Sequence, residues 1–424
     1  MNKSILFAFA IGCFSYSAKA QNQTDDSVSI GANYVNQVWY SLETGQKTSI
    51  SADQWDIAFP TNNRSVAVRI NDGGNVHLWK NPNGDETSWA TLDTTGMSNW
   101  KECYNSESDW DFGAFNDNAS SGQLDYGWGT YDVSDHHIRA NSVFVIQLTD
   151  SSFRKIMIEE LDAVAGIYYF KYADLDGSNE VSDTLGLADY SGKNFAYYSL
   201  QTNQALNPEP DKNEWDLLFT QYTSMIPMGP DTVAYVVTGV VSNINEGAAK
   251  VEGVDVNTYN DYQSQTLDSA KNIIGYDWKS YDMNSGIYQI ADSTLFFVQD
   301  KSNNIWKIVF TGFGGSSNGN FVFSKEKLNT TSIHQASGIT ASMAVYPNPA
   351  TSGYFTVAYQ LKGKTLPVTL QVADLSGRVV YNRQVNVQAG MNQQRIQTQN
   401  WASGAYFLSL QVAGERTTQK IIIR

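Results

Sequence analysis

At 424 residues, with 42 % hydrophobic and 17 % charged side chains, the chain is long enough for several domains and apolar enough to bury real cores, so wholesale disorder is excluded. A formal net charge of −15 without a long basic run argues against a nucleic-acid partner, because phosphate binding needs clustered cations. Abundant Tyr, Trp, Phe and Gly favour sheet with polar turns over helix.

Residues 1–20 read as a signal peptide. Lys3 supplies the positive start, Ile5 to Phe14 the short apolar run, and Ala18-Lys19-Ala20 the cleavage site, which makes Gln21 the first mature residue. The run is too short to span a bilayer. A rival reading takes Ala10-Ile11-Gly12-Cys13 as a lipoprotein site; the very short apolar run before it and the A-x-A site after it speak against that. Once the signal is removed Cys103 stands alone, so neither an intrachain disulfide nor a cysteine-built zinc site can form, and Cys103 reads as a small core hydrophobe.

The region that follows is internally duplicated. Val38-Trp39-Tyr40-Ser41-Leu42 returns as Ala196-Tyr197-Tyr198-Ser199-Leu200, and Trp55-Asp56-Ile57-Ala58-Phe59 as Trp215-Asp216-Leu217-Leu218-Phe219. Trp128-Gly129-Thr130-Tyr131-Asp132 returns as Trp278-Lys279-Ser280-Tyr281-Asp282, and residues 142–147, 154–158 and 166–170 match 294–299, 306–310 and 319–323. Six matches in one order, about 150–160 residues apart, indicate duplicated domains and not a short-period solenoid. Alternation of Phe144, Ile146 and Leu148, and of Trp306, Ile308 and Phe310, predicts half-buried strands. Asn71-Asp72-Gly73-Gly74, Asn83-Gly84, Asp176-Gly177 and Gly314-Gly315 mark turns. Each copy has its own opening and closing strand, so the expectation is two domains, 21–189 and 190–328, each folding alone.

Asp174-Leu175-Asp176-Gly177-Ser178-Asn179-Glu180 alternates oxygen ligands as calcium loops do. It lacks the full loop with its terminal Glu in register, and reads as an acidic interdomain linker. Residues 329–343 are small and polar and read as a second linker. Strand-like segments at 353–360, 367–373, 377–386, 404–413 and 417–423 then suggest a β-sandwich over 344–424.

In the tail, Val345-Tyr346-Pro347-Asn348-Pro349, Asp374-Leu375-Ser376-Gly377-Arg378, Trp401-Ala402-Ser403-Gly404-Ala405-Tyr406 and the terminal Lys420-Ile421-Ile422-Ile423-Arg424 together resemble a type A sorting domain of the type IX secretion system. That resemblance implies an Ig-like sandwich, recognition by an outer-membrane translocon, and delivery to the cell surface or the medium. The two copies, over 29–175 and 190–328, resemble HmuY-like domains in the aromatic-Tyr-Ser opening, the Trp-Asp string, the Trp-x-x-Tyr-Asp string and the strands Phe153-Arg154-Lys155-Ile156 and Ile305-Trp306-Lys307-Ile308. This second resemblance implies an all-β fold and a secreted or surface haem-binding protein with His or Met as axial ligands. The fold expected is all-β: two tandem HmuY-like domains and an Ig-like sorting domain.

A haem site needs an apolar slot and one or two imidazole or thioether ligands. The candidates are His77, after a Gly-Gly turn, and His136 and His137, in a turn before a strand; His334 lies in the polar linker. The second copy has no His at the equivalent of 136–137 but offers Met225 and Met228 beside Pro227 and Gly229, which suggest a loop. For these histidines and methionines the plain alternatives are solvated loop imidazoles and gap-filling thioethers. Trp55-Asp56 and Trp215-Asp216 read as structural: the ring anchors a strand and the Asp satisfies local backbone donors. Trp79, Trp89, Trp100, Trp110 and Trp128 offer either core packing or a face for stacking a sugar or haem. No nucleophile elbow, zinc-protease or phosphate-loop motif is present, so the chain is read as a non-enzyme. Two binding readings remain: capture of haem, free or from a haem-bearing host protein, and a haem-free adhesin for glycan or protein. A hydrolase is the third.

Overall fold

The computed structural model describes residues 23–328 and 343–424 apart from short stretches at 63–64, 118, 120–121, 123, 352, 362–365, 375–376, 388–389 and 413–414. The signal-peptide reading of 1–20, His334 and nearly all of the second linker lie outside the described residues. The chain divides into two units, Met1–Leu328 and Asn329–Arg424. Among the described residues the helical elements are 3-10 turns of three to six residues and the rest of the regular structure is strand, so the all-β expectation holds.

The first unit holds two β-sandwiches, and each contains strands from both sequence copies. In the first sandwich, Phe195–Ser199 from the second copy pairs antiparallel with Ile57–Pro60 from the first. In the second, Asn36–Tyr40 from the first copy pairs with Leu217–Met228 from the second. One outer sheet repeats the exchange. Gln23–Ser29 from the first copy pairs with Asn320–Leu328 from the second, whereas the equivalent pair, Val181–Gly186 with Ile167–Ala173, lies wholly within 21–189. Each copy thus gives its opening strands to the sandwich built mainly by the other.

Period-two alternation explains why these strands are buried on both faces. Along Phe195–Ser199, Ala196 and Tyr198 enter the first core, whereas Phe195 and Tyr197 point to the opposite side. Along Asn36–Tyr40, Val38 and Tyr40 enter the second core and Trp39 points away. The opposite faces form one seam cluster of Trp39, Trp55, Ala58, Phe195, Tyr197, Trp215 and Leu218. Its rings meet edge to face, with Tyr197 6.2 Å from Trp39 and 5.0 Å from Trp55. Packing at the seam is close: a Cβ on Gly73 would lie 2.1 Å from the Gln221 carbonyl oxygen.

The two Trp-Asp strings lock the exchange. Asp56 Oδ2 accepts from the Leu200 amide at 2.7 Å, and Asp216 Oδ2 accepts from the Leu42 amide at 2.6 Å. Both aspartates do satisfy backbone donors, but those donors lie 144 and 174 residues away, in the other copy. Burial pushes the Asp56 carboxyl up to about 6, with the Leu200 and Gln201 amides opposing the rise.

The division expected at 189/190 therefore falls between strands of one core: Leu185, Leu187, Ala196, Tyr198 and Leu200 all pack in the first sandwich. The segment read as an acidic interdomain linker is instead a turn inside an outer sheet, between Ile167–Ala173 and Val181–Gly186. Its carboxylates are held locally: Asp174 bridges Arg154 at 2.6 Å, and Asp176 accepts from the Ser178 amide and hydroxyl. Cys103 is fully buried in the first core.

The second unit is a sandwich of a three-stranded and a four-stranded sheet around Phe355, Val357, Leu370, Leu408 and Ile421. Its first strand starts at Met343, and the strand Gly390–Gln397 was not expected from the sequence. Only Ile396 is buried along that strand, so its polar sequence carries no apolar alternation to read. Asn348 joins the two ends of the sorting motif: its side chain donates to the Lys420 carbonyl and accepts from the Ile422 amide.

Candidate functional site

His77 and His137 sit on one sheet but far apart. His77 lies opposite Gln147, which lies opposite Phe153, whereas His137 lies opposite Asp162 at the far end of the same strand. Nine residues of strand separate those positions by about 30 Å. No single haem can bridge them.

Each imidazole is also engaged. His77 Nδ1 bonds Glu102, His137 Nδ1 bonds Glu160 at 2.6 Å, and His137 Nε2 lies 3.5 Å from Asp162. His136 sits at a left-handed turn position, φ +66°, with Nδ1 2.6 Å from the Tyr131 hydroxyl. The bond from Glu102 raises the His77 pKa above 6.5 against partial burial, and the bond from Glu160 does the same for His137. Protonated imidazole cannot ligate iron, so ligation by either ring would have to displace a proton, and His137 has carboxylates at both ring nitrogens.

These shifts are measurable. A histidine NMR titration should show His77 and His137 both titrating above 6.5, with Glu102→Gln bringing His77 back down. The stability contributed by the His77 pair should be full below pH 6.5 and lost as pH rises through the raised value. An unshifted His77 that ignores Glu102→Gln would contradict the bond.

Met225 and Met228 lie in a strand, not in a loop, opposite Ala234 and Asp231 of the hairpin partner. Three residues apart on an unbroken strand, they face opposite sides of the hairpin and cannot act together. Both are exposed, at 38 % and 63 %. Met225 edges a cavity of about 560 Å3 that is also lined by Glu107, Tyr222, Ser224, Lys250 and Asp268.

Trp79 shares a sheet face with Lys155, because both lie opposite Val145, but the other placed tryptophans do not all form one face with it. Trp128 is core and Trp89 lies beneath Lys155 and Lys171. Trp110 is clamped at the seam. Its indole donates to the Ser242 carbonyl at 2.9 Å, with the Arg69 guanidinium 5.1 Å and the Lys271 amine 4.5 Å from its ring centroid. Burial pushes the Arg69 pKa down to about 10 and, together with Arg69 itself, drives that of Lys271 well below its usual value.

A polar cleft of about 480 Å3 opens where the two sandwiches meet. Thr61 and Ser65 line it from the first copy, and Lys193, Asn194, Lys212, Asn245, Gln299 and Lys301 from the second. Trp110 and Phe195, 5.6 Å apart, add aromatic surface. Near it, burial pushes the Glu209 carboxyl up to about 7 and that of Glu246 up to about 10, the latter helped by Asp216. Both carboxyls are almost wholly buried, at 2 % and 1 % exposure, so neither presents an acid or base to a bound molecule. Sequence reading missed the cleft because its lysines and amides come from five separated segments and form no local motif.

Residues 344–424 match the family described as the secretion system C-terminal sorting domain. No curated protein matches the chain. Among solved structures, dimeric latent PorU from Porphyromonas gingivalis aligns at 11 % identity and TM-score 0.18, over 68 % of this chain and 32 % of that one. Elastase-activated alpha-2-macroglobulin from Escherichia coli aligns at 9 % identity and TM-score 0.16, over 95 % of this chain and 34 % of that one. The chain thus spans about a third of those structures, and overlaps this slight carry no argument about fold or function. The HmuY-like reading of the two copies gains no support from these comparisons. Residues 344–424 are a type IX secretion C-terminal sorting domain, and the protein is exported by that system to the outer cell surface or the extracellular space.

Proposed function

We propose that the tandem unit is a non-catalytic extracellular binding module that recognises a polar ligand, a glycan or the glycan of a glycoprotein. The observation that carries this reading is the amide- and lysine-lined cleft at the seam. Its volume, about 480 Å3, falls within the ~300–1,000 Å3 typical of small-ligand sites. Asn and Gln side chains both donate and accept, as sugar hydroxyls require. The haem reading rests on one observation, Met225 at the edge of the larger cavity, but carboxylates and amides share that lining.

A haemin titration of the mature chain, run beside a glycan array, separates the two. The expected result is saccharide binding and a flat Soret region well above about 10 μM haemin, where a site of −7 kcal/mol is already mostly filled. A sharp Soret band lost in His77→Ala/His136→Ala/His137→Ala or in Met225→Ala/Met228→Ala would replace this reading with haem capture.

A further inference from the structure

We propose, building on the glycan reading, that the seam cleft selects acidic saccharides, with Lys193, Lys212 and Lys301 receiving a sugar carboxylate and the neighbouring amides receiving hydroxyls. The chain carries a net charge of −15, yet this cleft gathers three lysines against two aspartates, Asp111 and Asp300. Asp300 is closed to a ligand: its carboxylate accepts from the amides of Ser302 and Asn304, the Asn304 side chain and the Trp306 indole. Asp111 lies 3.3 Å from the Ser65 hydroxyl. The lining is therefore net cationic in a chain that is acidic overall, and its walls focus that field on an entering anion.

The lysines reach the cleft by different anchors. Lys193 donates one hydrogen to the Glu209 carbonyl at 2.7 Å and keeps further hydrogens for a ligand, whereas Lys301 donates to the Ile244 carbonyl and also lies 3.6 Å from the buried Glu246 carboxyl group, so Lys193 and Lys212 carry most of the charge offered to a ligand. Lys212 is exposed, and its amine makes no hydrogen bond or ion pair among the described residues. The side chains of Asn213 and Asn245, both in the lining, likewise have no hydrogen-bond partner among the described residues. An apolar ligand would leave all these donors desolvated and unpaired, whereas a uronic or sialic acid offers a carboxylate and adjacent hydroxyls.

The test is calorimetric titration of the mature full chain with oligogalacturonate and sialyllactose, each against its neutral counterpart, in low and high salt. Expected are tighter binding of an acidic sugar by about tenfold or more, weakening with salt, and a further loss of about tenfold in Lys212→Glu with an unchanged thermal melt. Asn213→Ala should weaken binding less, and the His77, His136 and His137 replacements should be silent. Equal binding of acidic and neutral sugars would overturn the charge selection and leave the glycan reading standing. Acidic-sugar binding indifferent to Lys212→Glu and Lys193→Glu would overturn the site. No binding of any saccharide, on these probes or on the array, would overturn the glycan reading and this inference with it.

Discussion

A fragment of residues 52–206 is expected to fold cooperatively by itself, while fragments 21–189 and 190–328 are expected to be unfolded or aggregated singly and to fold when mixed. The first sandwich draws every strand of its two sheets from one continuous stretch, from Ile57–Pro60 through Gln204–Leu206. The second is discontinuous, with Gln23–Ser29 and Asn36–Tyr40 completing sheets otherwise built after residue 206. Cutting at 189/190 removes Ala196, Tyr198 and Leu200 from the first core and strands the opening strands of each copy without partners. Burying a large apolar side chain is worth about 1.5–3 kcal/mol, so losing Tyr198 and Leu200 alone removes roughly 3–6 kcal/mol. Domains are stable by only about 5–15 kcal/mol, and the cut also opens the pairing of Phe195–Ser199 with Ile57–Pro60. Urea melts followed by circular dichroism check this. A cooperative melt of 21–189 alone would refute the strand exchange. The 52–206 fragment uncovers Trp55, Phe195 and Tyr197 of the seam, so it should self-associate as its concentration rises.

Deleting residues 344–424 should abolish export and leave folded protein in the periplasm. The sorting domain is a separate unit with its own core, so its removal takes away the address without touching the two sandwiches. Fractionation with immunodetection measures the distribution, and protease resistance of the retained protein shows that the tandem unit is intact. Equal amounts of truncated and full-length protein outside the cell would reject the role of the tail. If the periplasmic material were unfolded, the loss of export would trace to misfolding, and the independence of the two units would be rejected instead.

Much of this was legible along the chain. The turn at Asn71-Asp72-Gly73-Gly74, the strand Phe144–Gln147 and the closing strands Ile167–Ala173 and Asn320–Leu328 follow from period-two alternation and from turn residues, both local properties. The duplication was legible too, since Trp39 and Tyr197, Tyr40 and Tyr198, and Asp56 and Asp216 occupy equivalent places. The ligand candidates were not. Imidazole and thioether side chains carry no mark of their neighbours, and His77 and His137 proved to belong to carboxylates at opposite ends of a sheet.

The sequence by itself determined that the chain is all-β, that its central region is duplicated and that its last 81 residues carry a secretion address, because each is written in composition, repetition or a contiguous motif. The tertiary structure alone decided which copy each opening strand completes. Ile57–Pro60 has the same hydrogen-bonding edge and alternation to offer an opening strand of either copy, so the chain alone does not say which it takes; in the structure it takes Phe195–Ser199, with Trp39, Trp55, Phe195, Tyr197 and Trp215 buried between the sandwiches. The seam cleft exists only as a consequence of that choice, since Lys193, Lys212 and Lys301 meet where two sandwiches close on each other and nowhere along the chain.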